Sequence, residues 1–510
     1  MSPTAIPGNL ILQSPTASKL ILVNDQRNPA GDAQITYGIT STGGIFNLRS
    51  TGTVDYEVEW GDGTVERSTS NTLAHTYAAG SYVLKIRTSQ QYVPYFNNST
   101  DEDQITSVAL VSDLDLGTSL FRAWYGANNI TNFDAAFGVT TGVTDFDTAW
   151  RNCSSLTSFP LIDTSSGTNF ITTWYGCSSL TSFPLINTSS GTNFSGAWNN
   201  CTGLTSFPLI NTSSGTNFTN AWANCTSLTS FPLIDTSSAT NFYAAWYNCN
   251  QLTSFPLIDT SSASNISFAW YGCSGLTSFP LIDTSSGTNF INAWFNCSGL
   301  TSFPLIDTSG GTAFNSAWNG CTGLTSFPLI NTSSGTSFAN AWNGCTGLTS
   351  FPLIDTSSGI NFISTWQNCS GLTSFPLIDT SSGDDLTRAW RNCSSLTSFP
   401  AIDTSSITDF FQAWFGCSSL TSFPANFFDT WTGTPADNCF DRAWTACSSL
   451  TATSVENILN SIDTSLQSAP ASGVDITIDY NAASGTPNIS TAVTNLKSRG
   501  WTITLNGVLQ

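Results

Sequence analysis

The sequence predicts a mostly β and irregular solenoid of stacked 24-residue coils, and three observations carry that prediction. Twelve cysteines fall in strict register, every 24 residues from Cys153 to Cys417. A tryptophan stands three residues before each, from Trp150 to Trp414, and a Phe-Pro pair follows each at fixed distance, beginning with Phe159-Pro160. Third, only 9% of residues are charged, yet 34 Phe and 17 Trp recur at fixed spacing, which argues against disorder. A period of this size marks units that bury their apolar side only by stacking on neighbours.

Four segments follow in chain order. Residues 1–35 hold Pro, Gly and Ser among scattered apolar residues such as Leu20-Ile21-Leu22-Val23 and read as an arm or short strands. Residues 36–105 read as a small β-sandwich: Val54, Tyr56, Val58 and Trp60 alternate, Gly61-Asp62-Gly63 is a turn, and Tyr82 to Ile86 is another strand. The solenoid spans 106–450, with Trp124 opening its first recognisable unit and a stretched unit ending at Trp444. Tryptophan spacing gives about 14 coils, or about 65–70 Å at the inter-strand distance. Residues 451–510 form a small α/β cap: Thr453-Ser-Val-Glu456 is a capping box opening a helix, Ile476 to Ile478 and Trp501 to Ile503 are strands, and Ile489 to Arg499 is a second helix.

Within one coil, Leu156, Phe159 and Leu161 supply the apolar positions of a short parallel strand, with Phe159 and Leu161 pointing inward. Pro160 recurs in all twelve in-register coils and shortens the strand, since proline cannot donate to a ladder. Asp163-Thr-Ser-Ser-Gly167 is turn chemistry. Phe170 and Trp174, four apart, suggest one face of a short helix. Asn or Gly before each in-register Cys reads as the left-handed stop of that helix.

Composition excludes several functions. No Lys, Arg or His occurs from Asn152 to Thr387, while nine Asp stand there, so a phosphate backbone or an anionic membrane is repelled. No apolar stretch approaches the ~20 residues a membrane span needs. The N-terminal sequence lacks the pattern of a secretory signal, which favours a component assembled in the cytosol and released by lysis. One cysteine per coil reads as a ladder of reduced core thiols; Cys439 and Cys447 break the register and are the pair expected to bridge if any does.

Two resemblances add to this reading. The segment Trp60-Gly-Asp-Gly-Thr64, with His75-Thr-Tyr77 and Gly80-Ser-Tyr-Val-Leu84, resembles a polycystic-kidney-disease (PKD)-type domain, which implies an immunoglobulin-like sandwich serving as spacer or weak binder. The spacing Leu156-x-x-Phe159-x-Leu161 matches the core of leucine-rich repeats. The unit A-W-x-N-C-x-x-L-T-S-F-P-x-I-D-T-S over most of the chain resembles the BspA-like surface proteins and their bacteriophage-encoded relatives. That resemblance implies a right-handed, leucine-rich-repeat-like solenoid and adhesion at a virion or cell surface, without enzymatic activity.

Candidate sites follow from the rows that stacking creates. Asp235, Asp259, Asp283 and Asp307 could collect calcium, a hard cation that takes oxygen ligands, but Asn stands in the same row at 187, 211 and 331, which points to a turn-capping role. No cofactor is expected otherwise. A lone histidine, His75, makes no catalytic site, and equivalent aspartates supply no acid/base pair. The Thr157/Ser158 position repeats as a hydroxyl array that could bind ice or carbohydrate. The residue after each Trp varies freely, so it is expected to be exposed, and Tyr175, Tyr247, Tyr271, Phe295 and Phe415 are the recognition candidates. The function expected is host-surface adhesion by a virion or tail-associated protein, with a surface glycan or protein as ligand and other virion proteins or further copies as partners. The alternatives are a cell-surface or extracellular-matrix adhesin and an ice- or carbohydrate-binding solenoid.

Overall fold

A computed structural model describes residues 34–52, 54–96, 101–111, 114–471 and 473–510; the expected arm lies almost wholly outside these. The chain divides into two compact units, Met1–Gly167 and Thr168–Gln510, each taken by itself.

In the first unit, β1 (Ile35–Thr51) and β4 (Thr72–Thr88) form a long antiparallel pair, Ile35 opposite Ile86 and Arg49 opposite Thr72. β2 (Tyr56–Glu59) joins β4 to β3 (Val65–Ser68), and β5 (Val93–Pro94) adds to β1. β6 (Ile105–Leu110) lines the other side of β1, and β7 (Asn132–Ala135) runs parallel to β6. Among the described residues these strands follow one hydrogen-bonded path, β3-β2-β4-β1-β6-β7, with β5 off it on β1; β1 and β4 run 17 residues each and pair along nearly their whole length. The Gly61-Asp62-Gly63 turn is built tightly. Gly61 has φ +85, and a Cβ there would meet the Val83 carbonyl oxygen at 2.6 Å. Asp62 accepts from the Thr64 N–H at 2.9 Å and pairs with His75 Nε2 at 2.8 Å, while Tyr77 donates to the Trp60 carbonyl. His75 stacks on Trp60 at 4.5 Å, so the single histidine is a structural hydrogen-bonder.

The second unit is a stack of coils with three aromatic columns in its core. Successive Trp rings stack nearly parallel, as in Trp198–Trp222 at 5.5 Å, and so do Phe183–Phe207 at 6.0 Å and Phe194–Phe218 at 5.3 Å. Such pairs add about 0.5–1.5 kcal/mol each beyond burial. The cysteines are buried and free, Cys439 and Cys447 included, so the bridge entertained for that pair is absent. From Cys201 to Cys417 each in-register thiol lies within hydrogen-bond reach of the Trp carbonyl of the coil before it, as Cys201 with Trp174 at 3.2 Å. The buried Thr of each Asp/Asn-Thr-Ser turn donates its hydroxyl onward to the next coil, as Thr236 to the Asp259 carbonyl.

Two expectations about the coil are overturned. The Phe170–Trp174 stretch is not helical. Its alternate N–H groups, at Phe170, Thr172, Trp174 and Gly176, leave the coil and bond the carbonyls of Asn193, Ser195, Ala197 and Asn199 at 2.8–2.9 Å. Tyr175 and Cys177 instead close four-residue turns onto Thr172 and Trp174. The four-residue spacing therefore reflects repeated tight turns with a left-handed residue every fourth position. One such row is the Asn/Gly row, for example Asn200 at φ 61 and Gly272 at φ 72. The other lies two residues before each Trp; it holds Gly196, Asn220, Asn292 and Asn340 but also Thr172, Ala244, Phe268, Ser316 and Gln412, residues that disfavour this conformation.

The Leu-Thr-Ser-Phe-Pro-Leu-Ile stretch is likewise no regular strand. Its inter-coil contact narrows to the Thr row, as in Thr229 N–H to the Thr205 carbonyl at 3.1 Å. After the proline the chain closes a γ-turn, with Ile186 N–H bonding the Pro184 carbonyl at 3.0 Å. That turn sends Leu outward and Ile inward. Leu161, expected in the core, is 53% exposed in the first unit, whereas Ile162 is buried.

The stack ends in the cap. α1 (Ala452–Thr464) lays Val455, Ile458, Leu459 and Ile462 inward, and its N-cap is Thr451, whose hydroxyl accepts from the Ser454 N–H, two residues ahead of the capping box expected. β8 (Val474–Ile478), α2 (Ser490–Ser498) and β9 (Trp501–Leu505) make a parallel crossover, and β10 (Val508–Leu509) folds back on β9. β8 continues the ladder through the Trp444–Ile478 bridge, and Asp479 accepts the Ala446 N–H at 2.7 Å.

Candidate recognition surface

The row after each Trp sits on the outside of the turn run, but it is half-buried rather than exposed. Tyr175, Tyr247, Tyr271, Phe295 and Phe415 are all of this intermediate kind. The cause is stacking along the row. Tyr247 and Tyr271 lie 4.6 Å apart and 13° from parallel, and Tyr271 and Phe295 lie 4.5 Å apart and 2° from parallel. Both faces of Tyr271 are thus covered, and burial followed by Tyr247 raises its pKa. The strip offers ring edges and tyrosine hydroxyls, with open faces only at its two ends. Phe268 and Tyr243 widen it, Phe268 lying 6.0 Å from Tyr271 and 5.5 Å from Tyr243. Tyr175 and Phe415 stand apart from this group; Phe415 instead has the Arg391 guanidinium 5.0 Å over its ring.

Beside the strip runs an open groove of about 420 Å³ lined by Asn250, Gly272, Ser274, Asn296, Ser298, Gly320 and Thr322. Gly272 and Asn296, which follow Tyr271 and Phe295 directly in the chain, belong to this lining, and the rings themselves do not. The lining is of amides, hydroxyls and bare backbone, and it carries no charge. It can hydrogen-bond a neutral polar ligand; it contains no nucleophile–base pair.

The aspartate row is committed to its own turns. Asp235 Oδ1 accepts the Ser237 N–H at 3.1 Å and hydroxyl at 2.7 Å, and Asp259 treats Ser261 the same way. Asp283 and Asp307 accept the N–H groups of Ser285 and Ser309 at 2.9 Å. The serine hydroxyl and then the N–H hold Asp235 and Asp283 below their ordinary pKa; for Asp307 the N–H comes first. Asn211 and Asn331 make the same bonds without a charge. Among the described residues no three Asp, Glu, His or Cys side chains cluster as a metal site would need.

One surface row escaped the sequence reading. From Leu185 to Leu377 the leucine after each proline is 59–63% exposed on nine successive coils. The signal available was the three-residue spacing from Phe183 to Ile186, which a regular strand cannot place on one side.

No family model matches the chain, and no curated protein matches it. Among solved structures, a leucine-rich repeat protein from Eubacterium ventriosum is similar at 13% identity, covering 77% of this chain and 96% of that one, with TM-score 0.38. A TLR13–ssRNA13 complex is similar at 11% identity, covering 79% and 84%, with TM-score 0.21. The plant peptide hormone receptor RGFR1, in complex with RGF2, is similar at 11% identity, covering 82% and 89%, with TM-score 0.19. Likenesses of this size say nothing about function.

Proposed function

We propose that this protein is a non-enzymatic, surface-binding repeat protein that presents its coils to a host surface, as part of a virion. The observation that carries the binding reading is the stacked strip Tyr247–Tyr271–Phe295 along an uncharged, hydroxyl- and amide-lined groove. Rigid aromatic edges beside adaptable polar groups suit recognition of a neutral glycan, with tyrosine hydroxyls and Asn side chains reading hydroxyl groups. The free, buried thiols support folding in a reducing cytosol, where virion proteins assemble, rather than along an oxidising secretory route.

The test is a glycan array probed with labelled parent protein and with the triple variant Tyr247→Ser, Tyr271→Ser, Phe295→Ser. The parent should bind a defined set of neutral glycans and the variant should lose them, by about thirtyfold or more if the strip acts as a hot spot of ~2 kcal/mol or above. Equal binding by the two proteins would remove the groove as the site. Gene neighbourhood tests the virion assignment separately: capsid and tail genes alongside support it, and a cell-wall or secretion cluster overturns it.

A further inference from the structure

The nine-leucine row has no role in the monomer. Each side chain is about 60% exposed and stands on a γ-turn that aims it outward, while the neighbouring Ile and Phe fill the core. The leucine holds on ten successive coils, Leu161 to Leu377, before Ala401 and Ala425 take the position; it shares this constancy with the exposed Thr-Ser pair of each coil, whereas the position after Trp runs through Tyr, Asn, Ala, Phe, Gln and Arg. A contiguous apolar patch of this kind marks an interaction surface. At roughly 100 Å² of exposed surface each, nine leucines present an area comparable to the ~800 Å² a stable interface takes from one partner.

We infer that this ridge is a self-association surface, and that its occupant is the same ridge on a second copy of this chain. The argument is periodicity. Knobs that recur once per coil, about 4.8 Å apart, are engaged together only by a surface with the same repeat. A second copy has that repeat by identity, whereas an unrelated globular partner would touch two or three leucines. The flanking rows fix the arrangement. Exposed Ser254, Ser278 and Ser302 lie on one side of Leu257, Leu281 and Leu305, and exposed Asp259, Asp283 and Asp307 on the other. A two-fold axis parallel to the stacking direction sets each copy's serine hydroxyls against its partner's carboxylates. An axis across the stack would instead press the two aspartate rows together, so the parallel dimer is the one formed. The formal net charge of −20 opposes any association of copies, so salt should tighten the dimer by screening while leaving its apolar contact intact.

Sedimentation velocity of the full chain over a concentration series, at low and at high salt, tests this. The parent should dimerise, more tightly in high salt. Leu257→Ser, Leu281→Ser and Leu305→Ser together should raise the dimer Kd on the order of a hundredfold or more, with near-ultraviolet circular dichroism unchanged because these side chains are outside the core. Ser254→Asp, Ser278→Asp and Ser302→Asp, which leave every leucine in place, should weaken the dimer by setting carboxylate against carboxylate, and this decides the question if the leucine variant misfolds. A parent that stays monomeric in high salt, or a folded leucine variant that dimerises as the parent does, overturns the inference; a serine variant that dimerises unchanged overturns the parallel arrangement. Association that weakens with salt would point to a basic partner surface and would also count against it.

Discussion

Alkaline pH should dissolve the second unit through its thiols. Burial pushes Cys201, Cys249, Cys321, Cys369 and Cys417 up to about 12. An unfolded cysteine ionises near 8.5–9. The folded chain therefore holds protons that the unfolded chain has released, so stability is complete below about pH 9 and falls as pH rises toward 12. Each such thiol contributes a slope of about 1.4 kcal/mol per pH unit. At pH 10 these five alone remove about 7 kcal/mol, against a total stability of about 5–15 kcal/mol for a typical domain. Cys225, Cys273, Cys297, Cys345 and Cys393 shift in the same direction by burial, which steepens the loss. The assay is a pH titration followed by thiolate absorbance and circular dichroism on one sample. No thiolate should appear until the dichroism collapses, and then all of it together. Thiolate absorbance rising near pH 9 over an intact dichroism spectrum would refute the sealed-core account.

Other outcomes follow from single contacts. Ser316→Gly relieves a left-handed residue (φ 53) and should stabilise by about 0.5–1 kcal/mol in thermal melts, whereas Gly272→Ala places a Cβ 2.4 Å from Asn248 Oδ1 at φ +72 and should lower the melting temperature. Thr212→Val leaves the Asp235 carbonyl without its buried donor and should cost about 1–3 kcal/mol in denaturant unfolding. Deleting residues 222–269, two whole coils, should leave a soluble folded protein, because each coil contacts only its neighbours. Deleting from Thr451 onward uncovers Phe423 and Phe428, whose backbone N–H groups donate to the Ser454 and Ser461 hydroxyl oxygens, and should cause aggregation seen by light scattering.

What could be read in advance was whatever the repeat states by residue type. The Trp and Cys positions declare a core column because, from Trp150 to Cys417, nothing smaller or more polar replaces them. The Asn/Gly row declares a left-handed conformation because both residues tolerate it. The second left-handed row carries that mark only on some coils, at Gly196, Asn220, Asn292 and Asn340; at Ala244, Phe268 or Ser316 the conformation is imposed by N–H groups that bond the next coil, a long-range demand that local propensity does not record. The helix reading failed on the same ground, since a four-residue apolar spacing fits a helix face and a run of tight turns equally. Leu161 was placed inside by alternation, which assumes an unbroken strand; the γ-turn at the proline resets the count. The aromatic row was identifiable as variable, but not as stacked, because its burial comes from rings on neighbouring coils.

The outward-donating N–H groups of the turn run have a further consequence for how such a molecule changes over generations. Nearly every coil of the second unit offers the same four donors on one side and the same four acceptors on the other, so one coil can follow another without a new joint being invented. Gain or loss of a coil is then a change of length alone, in steps of about 4.8 Å. Reach becomes a quantity adjusted by counting, separate from whatever the side chains along the edge are selected to grip.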